Sequence, residues 1–427
     1  MSAAFLFGSL FLLLVLGVPI AISLGLASIG TLILFADQTA AALAQRFFGT
    51  MQVYPLLALP FFVLAGTFMT RGGVANRIIQ FANALVGHFR GGLAMTALLS
   101  CAFFAAVSGS SPATVVAVGS IMMAGMVSAG YSREFAAGLI GSAGTLGILI
   151  PPSIVLVVYG AVTETSVGAL FLAGIVPGFL LTAVLMMVIA VVARRQNFPR
   201  AQRQGSAVLL RSASRASWGL FLIVVIMGGI YLGAFTPTEA AAVAAVYAAF
   251  VAIVIYREVR LHEIAPVFIE SGKLTAVLMF IIANAYLFAF VLTTEQIPQT
   301  ATAWIVDLGM PPWAFLALLN IALLIAGNFM DPTSVILIVA PVVFPVATQL
   351  GIDPIHLGII MTVNMEIGLI TPPVGLNLFV TASVAEMPLG KVVIAILPWL
   401  GALLAVLIAV TYLPSLSLSL PRWLMNA

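Results

Sequence analysis

The chain has 427 residues, of which 63% are hydrophobic and only 7% are charged, and its formal net charge is +3. Its mean hydropathy is +1.23, whereas a water-soluble protein of this length needs a far more polar surface. The composition therefore excludes a soluble globular protein and predicts an all-α polytopic membrane protein. One crossing with its turn takes about 30 to 35 residues, so the length allows about 11 or 12 crossings or re-entrant segments and no soluble domain.

Cysteine and histidine are scarce in this sequence. Cys101 is the single cysteine, which excludes an internal disulfide, and His88, His262 and His356 are widely separated. Because none of the histidines has an acidic or thiol partner at the spacing of a metal site, we expect no zinc or haem centre.

The positive charge is concentrated in one stretch of the sequence. Six arginines and no acidic residue occur there: Arg194, Arg195, Arg200, Arg203, Arg211 and Arg215. Since cytoplasmic loops of membrane proteins carry an excess of Lys and Arg, residues 195–215 are predicted to form a cytoplasmic Arg-rich loop. Nucleic-acid binding is another interpretation of a basic run, but the apolar segments on both sides favour a lipid bilayer as the partner and no nucleic acid.

The apolar segments predict the helices in chain order. Residues 3–35 are apolar for about twice the length of a signal-peptide core and lack a basic start, so they predict a retained membrane helix. Further spanning helices are predicted around residues 55–69, 91–107, 174–193, 218–256, 274–293, 311–327 and 390–413. Residues 39–49 and 257–272 are amphipathic, which is typical of helices in the membrane interface. Residues 218–256 allow one bent crossing or two, with residues 236–239 at the bend.

Two similar motifs indicate an internal repeat. GTLGILIPPS at residues 144–153 and MEIGLITPPV at residues 365–374 are separated by 221 residues. Pro112 and Pro332 lie at nearly the same separation, 220 residues. We infer two structural repeats of about 200 residues, which is typical of secondary transporters with a site at the repeat interface. An inverted arrangement is expected from that architecture, although the number of crossings leaves it open.

Polar clusters within apolar segments predict two re-entrant hairpins. Residues 108–114 form the first tip and residues 327–334 the second. Non-helical backbone at membrane depth is tolerated only where it is buried in protein or lines a wet cavity, so both tips should face a binding site. The alternative for the first tip is an ordinary extramembrane loop. Asp331 in the second tip has no Lys or Arg nearby in the sequence, which favours a bound sodium ion, and the alternative is a helix N-cap.

Each repeat also contains a predicted break in a helix. Pro151 and Pro152 lack backbone donors, so the helices should unwind near residues 147–150 and 368–371 and leave carbonyl oxygens free for a cation. The helical halves that follow are expected to begin at Ser153 and Val374, with positive ends suited to a carboxylate. Proline kinks without function are the alternative. Glu366 is interpreted equally well as a solute contact or an interhelical hydrogen-bonding group, and Glu239 as a helix cap.

Five segments together resemble one family over essentially the whole chain. They are LGVPIAISLGLASIG, SGSSPATVVAVGS, GTLGILIPPS, GAFTPTEAAAVAAVYA and GLITPPVGLNLFV. The sequence is similar to the large membrane subunit of the tripartite ATP-independent periplasmic transporters, of the dicarboxylate and sialic-acid type. The resemblance implies an elevator-type ion transporter in the inner membrane of a bacterial cell. It also implies a small four-helix membrane subunit and a periplasmic substrate-binding protein as partners.

The resemblance implies a division of the chain into a scaffold and a transport domain. The scaffold helices would be residues 1–90 and 216–310. The transport domain would be residues 91–194, with hairpin 1 and broken helix 1, and residues 311–415, with hairpin 2 and broken helix 2. Residues 416–427 would form a C-terminal tail.

The resemblance also implies the site residues. The first sodium site would be formed by Ser108, Ser110, Gly147, Ile150 and Pro152, with Ile150 acting through its carbonyl. The second would be formed by Asn328, Asp331, Gly368, Thr371 and Val374. Candidate substrate-binding residues are Ser111, Thr114, Thr333, Ser334, Asn364 and Asn377. No cofactor is expected besides sodium as the coupling ion.

The sequence therefore predicts sodium-coupled uptake of a small carboxylate, such as a C4-dicarboxylate or sialic acid, delivered by a binding protein. The alternative is a stand-alone ion-coupled anion carrier or antiporter that works without a binding protein. An enzyme is disfavoured, because the sequence has no GxSxG or HExxH motif and no paired aspartates on facing helices. A channel is disfavoured by hairpins and broken helices, which suggest an occluded site, and a purely structural protein would not need two discontinuous helices.

Overall fold

The structure, a computed structural model, describes residues 2–35, 39–50, 52–196, 198, 200, 202–372 and 374–425. Regular structure in these ranges is helical, apart from an isolated antiparallel bridge between Arg90 and Arg200. Eight of the described helices are long and apolar enough to cross a membrane. The prediction of an all-helical polytopic membrane protein is confirmed.

The described residues in the first half of the chain form ten α-helices. They are α1 (Ser2–Val15), α2 (Ile20–Phe35), α3 (Ala40–Thr50), α4 (Ala58–Arg71), α5 (Val74–Val86), α6 (Gly92–Ser108), α7 (Ser111–Ser128), α8 (Arg133–Gly144), α9 (Ile154–Thr163) and α10 (Val167–Arg195). Tight 3-10 turns at Tyr54–Leu57 and Thr145–Ile148 precede α4 and follow α8.

The second half forms ten more. They are α11 (Ser206–Tyr231), α12 (Pro237–Phe250), α13 (Ile264–Thr294), α14 (Ile297–Asp307), α15 (Pro312–Gly327), α16 (Pro332–Gln349), α17 (Pro354–Gly368), α18 (Leu376–Ala385), α19 (Leu389–Tyr412) and α20 (Ser415–Met425). A π-helical turn, Val251–Ile255, extends α12, and a short 3-10 turn, Leu261–Glu263, precedes α13.

The N-terminal apolar segment forms two helices, so the prediction of a single helix over residues 3–35 is wrong. The chain reverses between α1 and α2, where Gly17 has a φ of +78°. The Phe5 and Phe35 rings lie 5.6 Å apart, which brings the start of α1 to the end of α2. A left-handed glycine followed by Pro19 ends the first helix, because glycine adopts this conformation without strain and proline cannot continue a helix.

Residues 218–256 form two antiparallel helices, which decides the choice left open by the sequence. The Tyr256 hydroxyl donates to the Arg215 carbonyl at 2.6 Å, and the Tyr247 hydroxyl donates to the Trp218 carbonyl at 2.7 Å. The start of α12 is fixed by a capping box in which Thr236 and Glu239 bond each other's backbone amides. Glu239 is therefore a helix cap, as interpreted from the sequence.

Three segment boundaries differ from the sequence predictions. Residues 264–272 are continuous with residues 274–293 in α13, so residues 257–272 do not form a separate interfacial helix. Helix α11 begins at Ser206, so Arg211 and Arg215 lie on a helix and not in a loop. The C-terminal tail contains α20, which packs on α10 and α17. There the Ser417 hydroxyl lies 2.6 Å from His356 Nδ1, a buried polar contact that orders this segment.

Each pair of hairpin helices packs against a broken helix. Helices α6 and α7 contact α8, and α15 and α16 contact α17. In addition, α7 packs on α18 and α16 packs on α9, so the second helix of each hairpin contacts the broken helix of the other half. A cluster made of both hairpins and both broken helices results.

The two broken helices start at opposite ends of α19. Glu134 and Phe135, at the start of α8, line a cavity with Lys391 and Ala395 of the first part of α19, and a Cβ atom on Gly138, in the middle of α8, would lie 2.1 Å from the Ala395 carbonyl. His356, near the start of α17, contacts the carbonyl of Thr411 at the end of α19 at 3.3 Å. Helices α8 and α17 therefore enter the cluster from opposite sides.

Similar local signals start these two helices. A left-handed glycine, Gly130 or Gly351, precedes the N-cap in each case. Ser132 accepts from the Phe135 amide at 3.2 Å, and Asp353 accepts from the Ile355 amide at 2.8 Å. These side chains satisfy backbone donors that the helix itself leaves free.

Candidate functional site

The tip of the first hairpin is a compact polar turn. Helix α6 ends at Gly109, whose φ is +63°, and α7 begins at Ser111. The Thr114 hydroxyl donates to the Ser110 carbonyl at 2.8 Å and lies 3.1 Å from Ser108 Oγ. Ser108 and Thr114 are buried, so these two side chains of the tip lie inside the protein.

This tip contacts the first helix break through backbone atoms. A Cβ atom on Gly147 would lie 2.5 Å from the Ser110 carbonyl oxygen, and one on Gly109 would lie 2.7 Å from the Pro152 carbonyl oxygen. Ser108, Ser110, Gly147 and Pro152 are thus brought together, and the Ser110 and Pro152 carbonyl oxygens lie at this contact. Carbonyl oxygens are ligands that suit a small hard cation.

The first break is short and capped. After the 3-10 turn Thr145–Ile148, the chain turns at the two prolines, and Ser153 caps α9 by accepting from the Leu156 amide at 3.3 Å. The Ser153 hydroxyl donates to the Ile148 carbonyl at 2.5 Å. The predicted helix start at Ser153 is confirmed. The Ile150 side chain packs near Gly178 of α10, so Ile150 can serve the site only through its backbone.

The second hairpin approaches the second break equally closely. A Cβ atom on Gly368 would lie 2.8 Å from Gly327 Cα, so these backbones touch. The next residue, Asn328, has a buried Oδ1 without a hydrogen-bond partner in the described part of the chain. A buried acceptor of this kind costs free energy unless a ligand or water satisfies it.

Asp331 caps helix α16. Its carboxylate accepts from the Ser334 amide at 3.0 Å and from the Ser334 hydroxyl, and Pro332 follows at the first helical position. Asp331 is therefore the N-cap of α16, as the helix-cap alternative predicted. Among the described residues, no basic side chain forms an ion pair with Asp331.

The second break differs from the prediction at its end. Helix α18 begins at Leu376, so Val374 is not the helix start; it lies in the turn, and its side chain is 42% exposed. The turn includes Gly375, where a Cβ atom would lie 2.8 Å from the Thr371 carbonyl oxygen. The backbone N–H of Asn377 donates to the Leu369 carbonyl at 2.9 Å and closes the turn. Pro373, the last proline of the motif, lies outside the described residues.

One side-chain contact joins the two halves of the chain. Asn377 Nδ2 donates to Ser111 Oγ at 2.6 Å, and the Ser111 hydroxyl donates to the Gly144 carbonyl at 2.8 Å. The Asn377 Oδ1 atom is buried and unpartnered within the described part. Hairpin 1, broken helix 1 and broken helix 2 therefore meet at these three residues, beside the Ser110 and Gly147 contact.

The other candidate substrate residues lie elsewhere. Thr333 and Ser334 are buried at the start of α16. The amide of Asn364 donates to Asn320 of α15, to the carbonyl at 3.0 Å and to the side-chain oxygen at 2.8 Å. Asn364 therefore holds hairpin 2 against α17. Asn320 was not identified from the sequence, although a polar residue within an apolar helix is itself a signal of an interhelical contact.

Glu366 is fully buried one turn before the second break. Neither carboxylate oxygen has a hydrogen-bond partner among the described residues. The interhelical hydrogen bond that the sequence suggested is not formed there. The sequence placed Gly327 in the second hairpin tip and Gly368 in the second helix break, but it did not predict that these two glycines touch.

The contact between Ser111 and Asn377 predicts an energetic coupling. We expect the loss of unfolding free energy in the double variant Ser111→Ala/Asn377→Ala to be about 1 kcal/mol smaller than the sum of the losses in the two single variants. The reason is that either change alone already breaks the bond. Thermal unfolding of the purified chain measures this. The matched pair is Ser128→Ala with Asn377→Ala, since Ser128 is on α7 but bonds only its own helix at Gly125. Additive effects at both pairs would contradict the contact.

The chain is similar to known proteins over nearly its whole length. A family model described as "Tripartite ATP-independent periplasmic transporter, DctM component" matches residues 7–416. The C4-dicarboxylate TRAP transporter large permease protein DctM of Pseudomonas aeruginosa is 64% identical over 402 residues, or 94% of each chain. The protein of the same name in Vibrio cholerae is 54% identical and covers 100% of this chain and 99% of its own.

A solved structure shares the fold. The YdaH transporter of Alcanivorax borkumensis superposes with a TM-score of 0.62 over 90% of this chain and 87% of its own. The two sequences are only 16% identical, so this likeness concerns the arrangement of helices.

Proposed function

Because this chain belongs to the family of the DctM component of the tripartite ATP-independent periplasmic transporters, we propose that it carries a small carboxylate into a bacterial cell, driven by sodium. Membership makes the chain a multi-pass membrane transport protein. The substrate class is a C4-dicarboxylate, as the names of the P. aeruginosa and V. cholerae relatives suggest, and other organic acids such as sialic acid are the further candidates.

The observation that carries the proposal is the contact of each hairpin tip with a helix break. At the first, the Ser110 carbonyl lies against Gly147, and at the second, Gly327 lies against Gly368. The Ser110 and Pro152 carbonyl oxygens lie at the first contact. In the tip of the second hairpin, Asn328 has a buried amide oxygen without a partner among the described residues, and Asp331 supplies a carboxylate. These are the ligands that hard monovalent and divalent cations prefer, so each contact supports one sodium ion.

The solute would bind between the two sodium sites, near Ser111 and Asn377. The amino ends of α9 and α18 follow the two breaks and carry partial positive charge, which favours a carboxylate. The Ser111 hydroxyl already donates to the Gly144 carbonyl, whereas the Asn377 Oδ1 atom has no partner among the described residues and would accept from a hydroxyl group of the solute. Sodium would fix the hairpin tips in place, and the solute would then complete the occluded site.

The proposed mechanism is an elevator built from two inverted repeats. The opposite entry of α8 and α17 along α19 supports the inversion. The contacts of α4 with α12 and α13, and of α2 with α13, support a scaffold distinct from the cluster of hairpins and broken helices. The cluster would slide along this scaffold with its solute, as a rigid transport domain.

The proposed partners follow from the family description, which is tripartite and periplasmic. A small four-helix membrane subunit would support the scaffold, and a periplasmic binding protein would deliver the solute. The location would be the bacterial inner membrane, with the arginines of residues 194–215 on the cytoplasmic side.

The experiment is uptake into proteoliposomes that contain this chain and the small membrane subunit. Radioactive succinate, malate, fumarate and sialic acid are tested in turn. Each acid is tested with and without the periplasmic binding protein. We expect uptake of one of these acids only when the binding protein is present. Uptake without it would support the stand-alone carrier instead, and reconstituted protein that moves none of the acids would contradict the substrate class.

A further inference from the structure

Two adjoining cavities lie between α5 and α11, away from the hairpin tips. Their volumes are about 660 Å³ and 240 Å³, and they share Gln80 and Arg215. We call them together the basic trough, which is lined mainly by Asn76, Arg77, Gln80, Asn83, Arg211 and Arg215. None of these residues takes part in the proposed transport site.

The positive charge of the trough is largely uncompensated. Arg77 is paired with Glu258 at 3.0 Å and lies over the Tyr256 ring, with its guanidinium carbon 3.9 Å from the ring centroid. The exposed side chains of Arg211 and Arg215, one helical turn apart, form no ion pair or hydrogen bond within the described part of the chain. Like charges at this spacing repel each other, so an anion between them would be stabilising.

Amide side chains complete the polar lining. Asn76, Gln80 and Asn83 lie on one face of α5, whose opposite face is buried. They offer N–H donors next to the two free guanidinium groups. Arginine and amide donors around one cavity match the oxygens of a phosphate group.

The trough lies where two membrane spans end. The apolar part of α11 begins at Trp218, which also lines the trough and is 43% exposed. The antiparallel α12 and its π-helical turn end at Ile255, before the charged residues Arg257 and Glu258. Exposed apolar side chains, Phe221 and Val254, lie just inside this boundary on both helices. A tryptophan between a polar trough and apolar flanks is typical of the level of lipid headgroups.

We propose that the basic trough binds the headgroup of an anionic phospholipid, with its acyl chains along the exposed apolar flanks of α11 and α12. Free phosphate shares the headgroup chemistry but would make no use of those flanks. The lipid would hold α5, α11 and α12 together at the membrane surface. This site does not depend on the solute or on sodium coupling.

The test is native mass spectrometry of the full-length chain in detergent, titrated with phosphatidylglycerol or phosphatidylcholine. We expect phosphatidylglycerol to bind at least about tenfold more tightly than phosphatidylcholine. The double variant Arg211→Gln/Arg215→Gln should weaken phosphatidylglycerol binding about thirtyfold, because each basic residue near an anionic headgroup contributes about a fivefold factor in affinity. The matched control Arg194→Gln/Arg195→Gln removes the same charge from the same basic region outside the trough and should change binding less than twofold. The double variant Arg211→Lys/Arg215→Lys keeps the charge and should retain most of the affinity. It shows whether substitutions at these two positions reduce binding by misfolding the chain.

Three results would overturn the proposal. Equal losses in the two glutamine variants would show a general attraction to the basic surface. Unchanged binding in Arg211→Gln/Arg215→Gln would place the lipid elsewhere. Displacement of phosphatidylglycerol by millimolar glycerol phosphate, with an affinity equal to that of the lipid, would show a site for a small anion and not for a lipid.

Discussion

Replacing Gly147 with alanine is expected to lower uptake about 100-fold while leaving the chain in the membrane. The added Cβ atom would lie 2.5 Å from the Ser110 oxygen, 2.6 Å from the Ser110 carbonyl carbon and 2.7 Å from the Ser111 nitrogen. All three are backbone atoms, so no rotamer change relieves the clash, and the hairpin tip must move by about 1 Å. A shift of that size at a preorganised site commonly costs about 100-fold in rate.

The measurement is sodium-driven uptake per amount of reconstituted protein. Gly125→Ala is the matched control, because Gly125 is on α7 of the same hairpin and a Cβ atom there would meet nothing within 4 Å. The control should transport normally. If Gly147→Ala also transported normally, the contact between hairpin 1 and the first break would not form part of the site.

The second large effect is expected at Asp331, where the charge can be removed without removing the helix cap. Asparagine caps helices about as well as aspartate, so Asp331→Asn should keep the bond to the Ser334 amide. The sodium affinity should fall at least about tenfold, since a unit charge about 4 Å from a cation contributes up to about 4 kcal/mol at an effective dielectric constant of about 20. Asp331→Ala should lose sodium affinity and also destabilise α16.

Sodium dependence of uptake measures this effect, as the sodium concentration that gives half the maximal rate. Glu239→Gln is the control, because Glu239 is the corresponding acidic residue in a capping box and glutamine can fill that role. Its sodium dependence should match that of the unchanged chain. Similar shifts for Asp331→Asn and Glu239→Gln would rule out a special role for Asp331.

The sequence predicted the elements whose causes are local. Pro151 and Pro152 remove backbone donors, and the helix breaks next to them as expected. Asp331 followed by Pro332 is a local start signal, and α16 begins there. The hairpins were also correct in position, because a polar tip between two apolar segments is visible in the sequence alone.

Other features depend on contacts that a sequence does not display. Ser111 and Asn377 are 266 residues apart in the chain and meet only after both halves have folded. The Asn364 side-chain amide donates to Asn320 of α15, a partner that the sequence did not indicate. Polar residues in apolar helices signal that a partner exists, but only the packing decides which partner it is.

Two of the wrong boundaries are explained by the local backbone. Residues 264–272 contain no signal that ends a helix, so they extend α13 despite their polar face. In contrast, Gly17 adopts a positive φ and reverses an apolar segment that reads as one helix. Hydrophobicity therefore located the apolar helices, whereas a local backbone signal such as Gly17 decided where one helix ends and the next begins.

The most direct test of the proposed mechanism is the simultaneous uptake of radioactive sodium and of the transported acid into proteoliposomes with all three components. Sodium-coupled transport predicts that each acid molecule enters together with a fixed number of sodium ions, and that Asp331→Asn reduces both fluxes together. Uptake of the acid that continues unchanged when sodium is replaced by potassium, or sodium entry that is independent of the acid, would contradict the assignment of the two hairpin tips as sodium sites.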